Sequence, residues 1–343
     1  MARIDVTVRG AGIFGLSIAW ECARRGAAVR VIDPEGPGAG SSGGIVGALA
    51  PHVPEQWNGK KAFQFESLVA AETFFRGVEA ASGVSTGYGR KGRVQPIAGP
   101  EALKLAEARG EGAKALWQGY SWRIEAAERF ASWGLSGSVI FDDLTARMHP
   151  RHCGAALVAA LQGAGAEIVR DGAEEGRVCH ATGVAGLQAL SEGRARSFGS
   201  GVKGQSALFR VEGLAELPQL FIETLHVIPH ADGTVAVGST SENSYDDPRS
   251  TDAQLEAMIE KVRALVPPLA EAPVIDRWAG VRPRARSRAP VLGAHPDRPG
   301  EFIANGGFKI GFGMAAGVAR VMADLLLDGV DTIPPEFRPE TCL

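Results

Sequence analysis

Gly10, Gly12 and Gly15 stand at the two- and three-residue spacing that lets a backbone approach a pyrophosphate. What surrounds them supports that chemistry. The stretch Ile4–Val8 predicts a short strand before the glycines, and Leu16–Arg25 predicts a helix with Ile18, Ala19, Cys22 and Ala23 on one face. Gly26 ends that helix, and Ala28–Ile32 predicts a second strand closing on Asp33 and Pro34. In such a unit Gly10 allows the tight turn, Gly12 admits the phosphates and Gly15 lets the helix lie on the strand. The helix start at Ile13 and Phe14 offers free N–H groups and a positive dipole end. Asp33 can accept hydrogen bonds from ribose hydroxyls, and its charge disfavours a 2′-phosphate, hence NADP.

The next segment separates NAD from FAD. A plain NAD domain would enter another crossover helix after Asp33. This chain instead runs through small residues, Ser41 and Ser42 among them, to a short helix-like stretch from Val46 through Gly47 and Ala48 to Leu49. Small side chains let main-chain N–H groups lie against a pyrophosphate and an isoalloxazine ring, so FAD is expected. Near the C-terminus, Phe302–Gly313 predicts a strand feeding a glycine-rich loop and then a helix to Leu327. Arg282 lies between, in Trp278-Ala279-Gly280-Val281-Arg282-Pro283. Its guanidinium fork suits a carboxylate in two parallel hydrogen bonds, although most arginines are surface residues. Arg284, Arg286 and Arg288 alternate beyond it, as a solvated edge or as binders of an acidic substrate tail.

These segments, in order, resemble the D-amino acid oxidase, glycine oxidase and sarcosine oxidase superfamily, and within it the glycine oxidase branch. The resemblance runs along nearly the whole chain, through Tyr88–Val94, His149-Pro150-Arg151, Ala155–Leu161, Gly165–Ile168, Arg177–Gly183, Val202–Gln205 and Val235–Thr240. It implies a mixed α/β fold. A Rossmann-like FAD domain of the glutathione-reductase type would be built from residues 1–50, 140–200 and 275–343. A substrate domain on a mixed, largely antiparallel sheet would comprise 51–139 and 201–274.

The same resemblance implies flavin contacts at Ser41, Ser42, Val46, Gly47, Ala48, Thr182 and Gly183, and from Gly307 through Phe308, Lys309, Ile310, Gly311 and Phe312 to Gly313. It implies that Arg282 clamps a substrate carboxylate. Lys309 stands where glycine oxidases carry an arginine that also touches that carboxylate; the charge is kept and the fork lost, unless the lysine simply faces solvent. His226 replaces a tyrosine of the substrate pocket, and could donate a hydrogen bond, titrate near neutral pH or merely pack. Tyr245 and His52 are weaker candidates. No cysteine lies in Gly306–Gly317, so the FAD should be dissociable.

The activity so implied is oxidation of the C–N bond of a small amino acid or secondary amine. Hydride would pass to flavin N5, and oxygen would reoxidise the flavin to give peroxide. A dehydrogenase using a quinone or carrier, a tRNA-modifying flavin oxidase and a non-catalytic flavin-binding subunit stay open. Beside Lys309 and His226, one further departure stands out. The stretch from Ile168 to Gly176 is much shorter than the family's β-meander, which trims the adenine pocket.

Composition narrows the classes further. The chain has 343 residues, 45 glycines and a formal charge of −3. Scattered Lys and Arg with that charge give no basic face for tRNA, so no nucleic acid is expected. No apolar run is long enough for a membrane span, and the N-terminus lacks a signal-peptide pattern. Cys22, Cys153, Cys179 and Cys342 lack metal-ligand spacing, so no metal is expected and the protein reads as cytoplasmic with reduced thiols. The partners expected are a small amine or amino acid and an electron acceptor; a homo-oligomer is compatible, since many relatives self-associate.

Overall fold

The computed structural model describes residues 3–343. Two sheets organise it. The smaller has six strands in the order Val291–Ala294, Phe302–Asn305, Arg177–His180, Val6–Arg9, Val29–Ile32 and Glu167–Val169, all parallel except the first. Its central strands are short and buried on both faces, as parallel strands covered by helices must be. The helices Ile13–Arg24, Gly59–Ser82, Pro150–Gly163 and Gly311–Ala323 share one apolar core with it, built on Leu16, Ile18, Phe63, Leu68, Phe75, Leu157 and Val318.

The larger sheet has eight strands, in the order Val274–Ala285, Gly199–Arg210, Thr234–Gly238, Leu225–Pro229, Gln219–Ile222, Arg93–Pro96, Ser138–Asp142 and Trp122–Ala126. It is antiparallel apart from the pairing of Gln219–Ile222 with Arg93–Pro96. Helix Ala253–Leu265 covers one face through Leu255, Met258, Ile259 and Val262. The edge strand Val274–Ala285 carries Arg282 and Arg284. Most of it lies inside the 275–343 segment grouped above with the nucleotide-binding part, yet it pairs along its length with Gly199–Arg210 of the larger sheet.

Two local expectations change. The stretch from Val46 to Leu49 is not helical; Ser41–Gly43 forms one 3₁₀ turn, and Ala48–Leu49 pairs with Ala146–Arg147. Glycines at 43, 44 and 47 weaken a helix here. A Cβ on Gly47 would also stand 2.0 Å from Met148 O, so the chain is pressed into an extended pairing. The shortened stretch after Glu167–Val169 is stapled to the sheet. Arg30, itself buried, donates from Nε to Glu167 at 2.6 Å and from Nη1 to Glu175 at 2.7 Å and Ala173 O at 2.9 Å.

The loop ahead of Ala48 is held by a histidine cluster. His230 is buried and its Nε2–H donates to Ile45 O at 3.0 Å. The His149 ring lies 4.5 Å from that of His230 and stacks on His152 at 3.8 Å. His149, His152 and Asp232 each bring a ligand atom within 4.8 Å of the others. Nearly parallel stacked rings, however, send their in-plane lone pairs side by side rather than onto one ion.

Among the described residues no helix is long and apolar enough to cross a membrane. Burial first, and then the neighbouring histidine ring, His152 for His149 and His149 for His230, lowers both to about 4. The unfolded chain therefore binds protons that the folded one refuses between pH 6.5 and 4. Stability is fully present above about pH 6.5 and falls as pH drops through that window, by at most about 1.4 kcal/mol per pH unit for each histidine. Thermal melting at pH 7.5 and 5.0 should show the fall. His230→Gln keeps a donor for Ile45 but takes up no proton, so its fall should be smaller; an equal fall would remove His230 from the effect.

Candidate active site

A cavity of ≈ 1080 Å³ runs between the two sheets, from Arg9 and Asp33 at one end to His226, Arg282 and Lys309 at the other. Backbone contacts fix its nucleotide end. Gly10 has φ +105°, and a Cβ there would stand 2.3 Å from Ala181 O. A Cβ on Gly15 would stand 1.8 Å from Gly10 O. The turn thus presses on the strand end at Ala181 and the helix presses on the turn. Asp33 closes the unit: Oδ2 accepts from Ala11 N at 2.7 Å, and Oδ1 from Glu35 N at 3.0 Å and Gly36 N at 3.2 Å. Ser42 Oγ accepts from Ile13 N at 2.9 Å, directly above Gly12, where a Cβ would come 3.2 Å from that hydroxyl.

Asn305 joins two cavity-facing turns. Its Nδ2 donates to Gly183 O at 2.9 Å, while its Oδ1 accepts from Gly306 N at 2.7 Å. Helix Gly311–Ala323 begins at the cavity wall, and its first-turn N–H groups have no intrahelical acceptor. Two helix starts therefore point positive dipole ends into one cavity, together with backbone bared by glycine. This donor set fits a flavin dinucleotide: Gly12–Phe14 would hold its phosphates, Asp33 a ribose, and the wall between Ala48 and Gly307 its ring.

Most expected contacts line this cavity: Gly10, Gly12, Ile13, Phe14, Asp33, Pro34, Ser41, Ser42, Val46, Ala48, Thr182, Gly183, Gly307, Phe308, Lys309, Gly311 and Phe312. Four stand behind the wall instead. Gly15 and Gly47 are set against backbone oxygens, and Gly313 against Leu68. Ile310 caps the C-terminal helix. Their small size or position serves packing, which sequence spacing cannot distinguish from ligand contact. His52 also lies off the cavity; its backbone N–H donates to Gln64 Oε1 at 2.8 Å. Asn305, Trp278 and Arg249 line the cavity without having been singled out. For Trp278 the sequence signal was its place at the head of the Trp278–Pro283 run; a Cβ at Gly280, two residues on, would stand 2.4 Å from its ring.

The far end is cationic. Arg282 is 8% exposed, and its guanidinium rests on Gly204, where a Cβ would be 1.3 Å from Nη2. Nη2 donates to Ser239 Oγ at 2.8 Å and Thr240 O at 3.2 Å, while Nη1 is buried with no partner among the described residues. Burial lowers Arg282 to about 10, partly offset by Glu242, so it remains a cation at neutral pH. Lys309 is lowered by burial and then by Arg282. His226 lies against Phe221, with ring centroids 4.8 Å apart, and its Nδ1 has no partner among the described residues. Burial, then Arg93 and Lys309, push His226 down to about 3, so it is a neutral hydrogen-bonding group rather than one that titrates near pH 7.

Asp33→Ala should weaken FAD binding about 10- to 100-fold, the 1.5–3 kcal/mol (roughly) of hydrogen bonds to a charged group. Titration of the apoprotein by flavin fluorescence would measure it. Unchanged affinity would show that the glycine turn holds its shape without the carboxylate.

Comparison with known proteins follows this geometry. Residues 5–325 match the family described as FAD dependent oxidoreductase. A bifunctional ThiO/ThiG protein of Nostoc sp. is 27% identical over 94% of the chain, which spans only 53% of that relative's length. Glycine oxidase of Geobacillus kaustophilus is 25% identical over 94% of the chain and 93% of its own. The solved iminodiacetate oxidase of Chelativorans sp. BNC1 superposes with a TM-score of 0.86 at 22% identity, covering 97% of the chain and 98% of its own. Because the family match runs unbroken from the glycine turn through the strand of Arg282 to the C-terminal helix, the chain belongs to the FAD dependent oxidoreductases.

Proposed function

We propose that this protein oxidises the C–N bond of a small amino acid or secondary amine, with FAD in the cavity and oxygen as the final acceptor. The observation that carries the reading is Arg282: a buried guanidinium on the cavity wall whose Nη1 has no partner among the described residues. Leaving such a donor unpaired is costly unless a ligand completes it, and a carboxylate fits the fork. Glycine and iminodiacetate, from which two of the relatives take their names, each carry a carboxylate one carbon from an amine nitrogen.

When bound, FAD supplies the two-electron acceptor for the hydride. The chain's own residues position the substrate. Arg282 anchors the carboxylate and so fixes which C–H faces the flavin. The N–H groups that open helix Gly311–Ala323 place positive potential where negative charge develops. Trp278, packed over Gly44 and Gly280, walls off water on the side of the flavin loop. His226, neutral and with a free Nδ1, can hydrogen-bond the amine but is too weak a base to deprotonate it. The amine must arrive neutral.

The test is anaerobic bleaching of the flavin band by glycine, sarcosine, D-amino acids and proline, followed by a peroxide assay on admitting oxygen. A flavin that no amine bleaches would overturn the reading; bleaching without peroxide would replace oxygen by a quinone or carrier. Arg282→Gln should cut kcat/KM by about 30- to 4,000-fold, corresponding to roughly 2–5 kcal/mol for a truncated buried charge contact, with FAD content unchanged. The pH profile of kcat/KM should rise with the substrate's own amine pKa and shift when that is altered. A limb near pH 6.5 that disappears in His226→Gln would contradict the neutral histidine.

A further inference from the structure

Tyr245, Pro248 and Arg249 line the cavity, yet they come from the connection that leaves strand Thr234–Gly238 of the larger sheet for helix Ala253–Leu265. Both feet of that connection stand on one side chain. Gln205, fully buried, donates from Nε2 to Glu242 Oε1 at 3.0 Å and to Asp252 Oδ1 at 2.9 Å, while its Oε1 accepts from Asp252 N at 2.9 Å. Glu242 also exchanges two main-chain hydrogen bonds with Lys203, each of 2.9 Å. Between the feet, residues 243–250 are mostly exposed and make no hydrogen bond between main-chain groups among the described residues. One charged pair ties this span to the nucleotide-binding strands: the guanidinium of Arg249 meets Glu35, and both side chains are exposed.

Glu35 belongs to the turn that Asp33 folds, its N–H donating to Asp33 Oδ1 at 3.0 Å. The pair therefore sets the crown of the span beside the residue that would hold a ribose. Tyr245 lies in the same span, with its hydroxyl at a notch left by a glycine. A Cβ on Gly201 would stand 2.8 Å from that oxygen, 2.5 Å from Val281 and 3.2 Å from Val184. Both valines line the cavity with it. Neighbouring residues of a strand face opposite ways. Val281 and Tyr245 thus occupy the other face of strand Val274–Ala285 from the Arg282 guanidinium, which rests on Gly204. Tyr245 is an aromatic group on the nucleotide side, not a companion of the carboxylate anchor.

We propose that residues 243–250 are a clasp on the cofactor: the Tyr245 ring lies against the adenosine half of FAD, and the Arg249–Glu35 pair latches the span over it. This holds for any substrate, because it depends on FAD in the cavity and not on the bond that the flavin oxidises. Fixed feet and a crown without main-chain bonds make an element that can swing on its ends while the sheet stays intact. An exposed ion pair is a weak latch, which suits a cover that opens to admit or release a dinucleotide.

The experiment reads cofactor release and binding, not turnover. FAD leaving diluted holoprotein is followed by the rise of free-flavin fluorescence. Arg249→Gln and Glu35→Gln should each speed release about two- to fivefold, the range an exposed ion pair supplies. The exchanged pair, Glu35→Arg with Arg249→Glu, should return release toward the native rate. High salt should speed release from the unaltered protein and have less effect on Arg249→Gln. Tyr245→Ala should weaken FAD about five- to a hundredfold, the worth of one aromatic face on a base, and Tyr245→Phe should stay near native. Calorimetry of ADP with the apoprotein should show the same loss in Tyr245→Ala. Melting of each apoprotein variant checks that the fold is kept. Native release rates in both latch variants overturn the proposal, as does an exchanged pair no slower than the single variants. So does a Tyr245→Ala protein that melts normally and binds ADP as tightly as the native chain.

Discussion

Everything at the nucleotide end depends on contact between backbones. Gly10 lies on Ala181 O, and Gly15 lies on Gly10 O, at distances that admit no side-chain carbon. These contacts set the angle at which helix Ile13–Arg24 leaves the central strand. That angle decides where its first N–H groups point. The bond from Ile13 N to Ser42 Oγ above Gly12 follows from it, as does the place of Asp33 at the tip of the neighbouring strand. A cradle made of amides is rigid and cannot be repacked, which suits a cofactor whose charge is carried by phosphates.

The opposite end works by a different principle. Side chains, not backbone, define it, and its character is an unbalanced positive charge held in a wall of low polarity. Gly204 supplies the room in which the Arg282 guanidinium lies, and Ser239 and Thr240 orient one edge of it while leaving the other without a partner. His226 adds a polar but uncharged surface because burial first, and then Arg93 and Lys309, hold a proton off its ring.

The sequence made some of this legible and hid the rest for physical reasons. The strand–turn–helix–strand–acid unit could be read because each step has its own residue signature, and its elements lie within one or two residues of expectation at most boundaries. The glycine-rich loop before the C-terminal helix was readable for the same reason. The stretch Val46–Leu49 misled because its partner strand, Ala146–Arg147, is about a hundred residues away, and a pairing at that range leaves no local trace. Gly15, Gly47 and Gly313 read as ligand contacts because glycine serves close approach to a ligand and close approach to the protein's own backbone alike. The neutral state of His226 comes from tertiary burial, which no periodicity encodes.

The strand Val274–Ala285 belongs by pairing to the larger sheet, yet Pro283 O holds the Phe308 N–H of the loop that begins the C-terminal helix. Arg282 is the residue next to that carbonyl. An anion held by Arg282 and a dinucleotide set against Gly307 and Gly311 would therefore order the same stretch of main chain. Thermodynamic linkage would make the effect mutual: each ligand would raise affinity for the other by the same factor, because the second to arrive would meet a segment whose conformational entropy has already been spent.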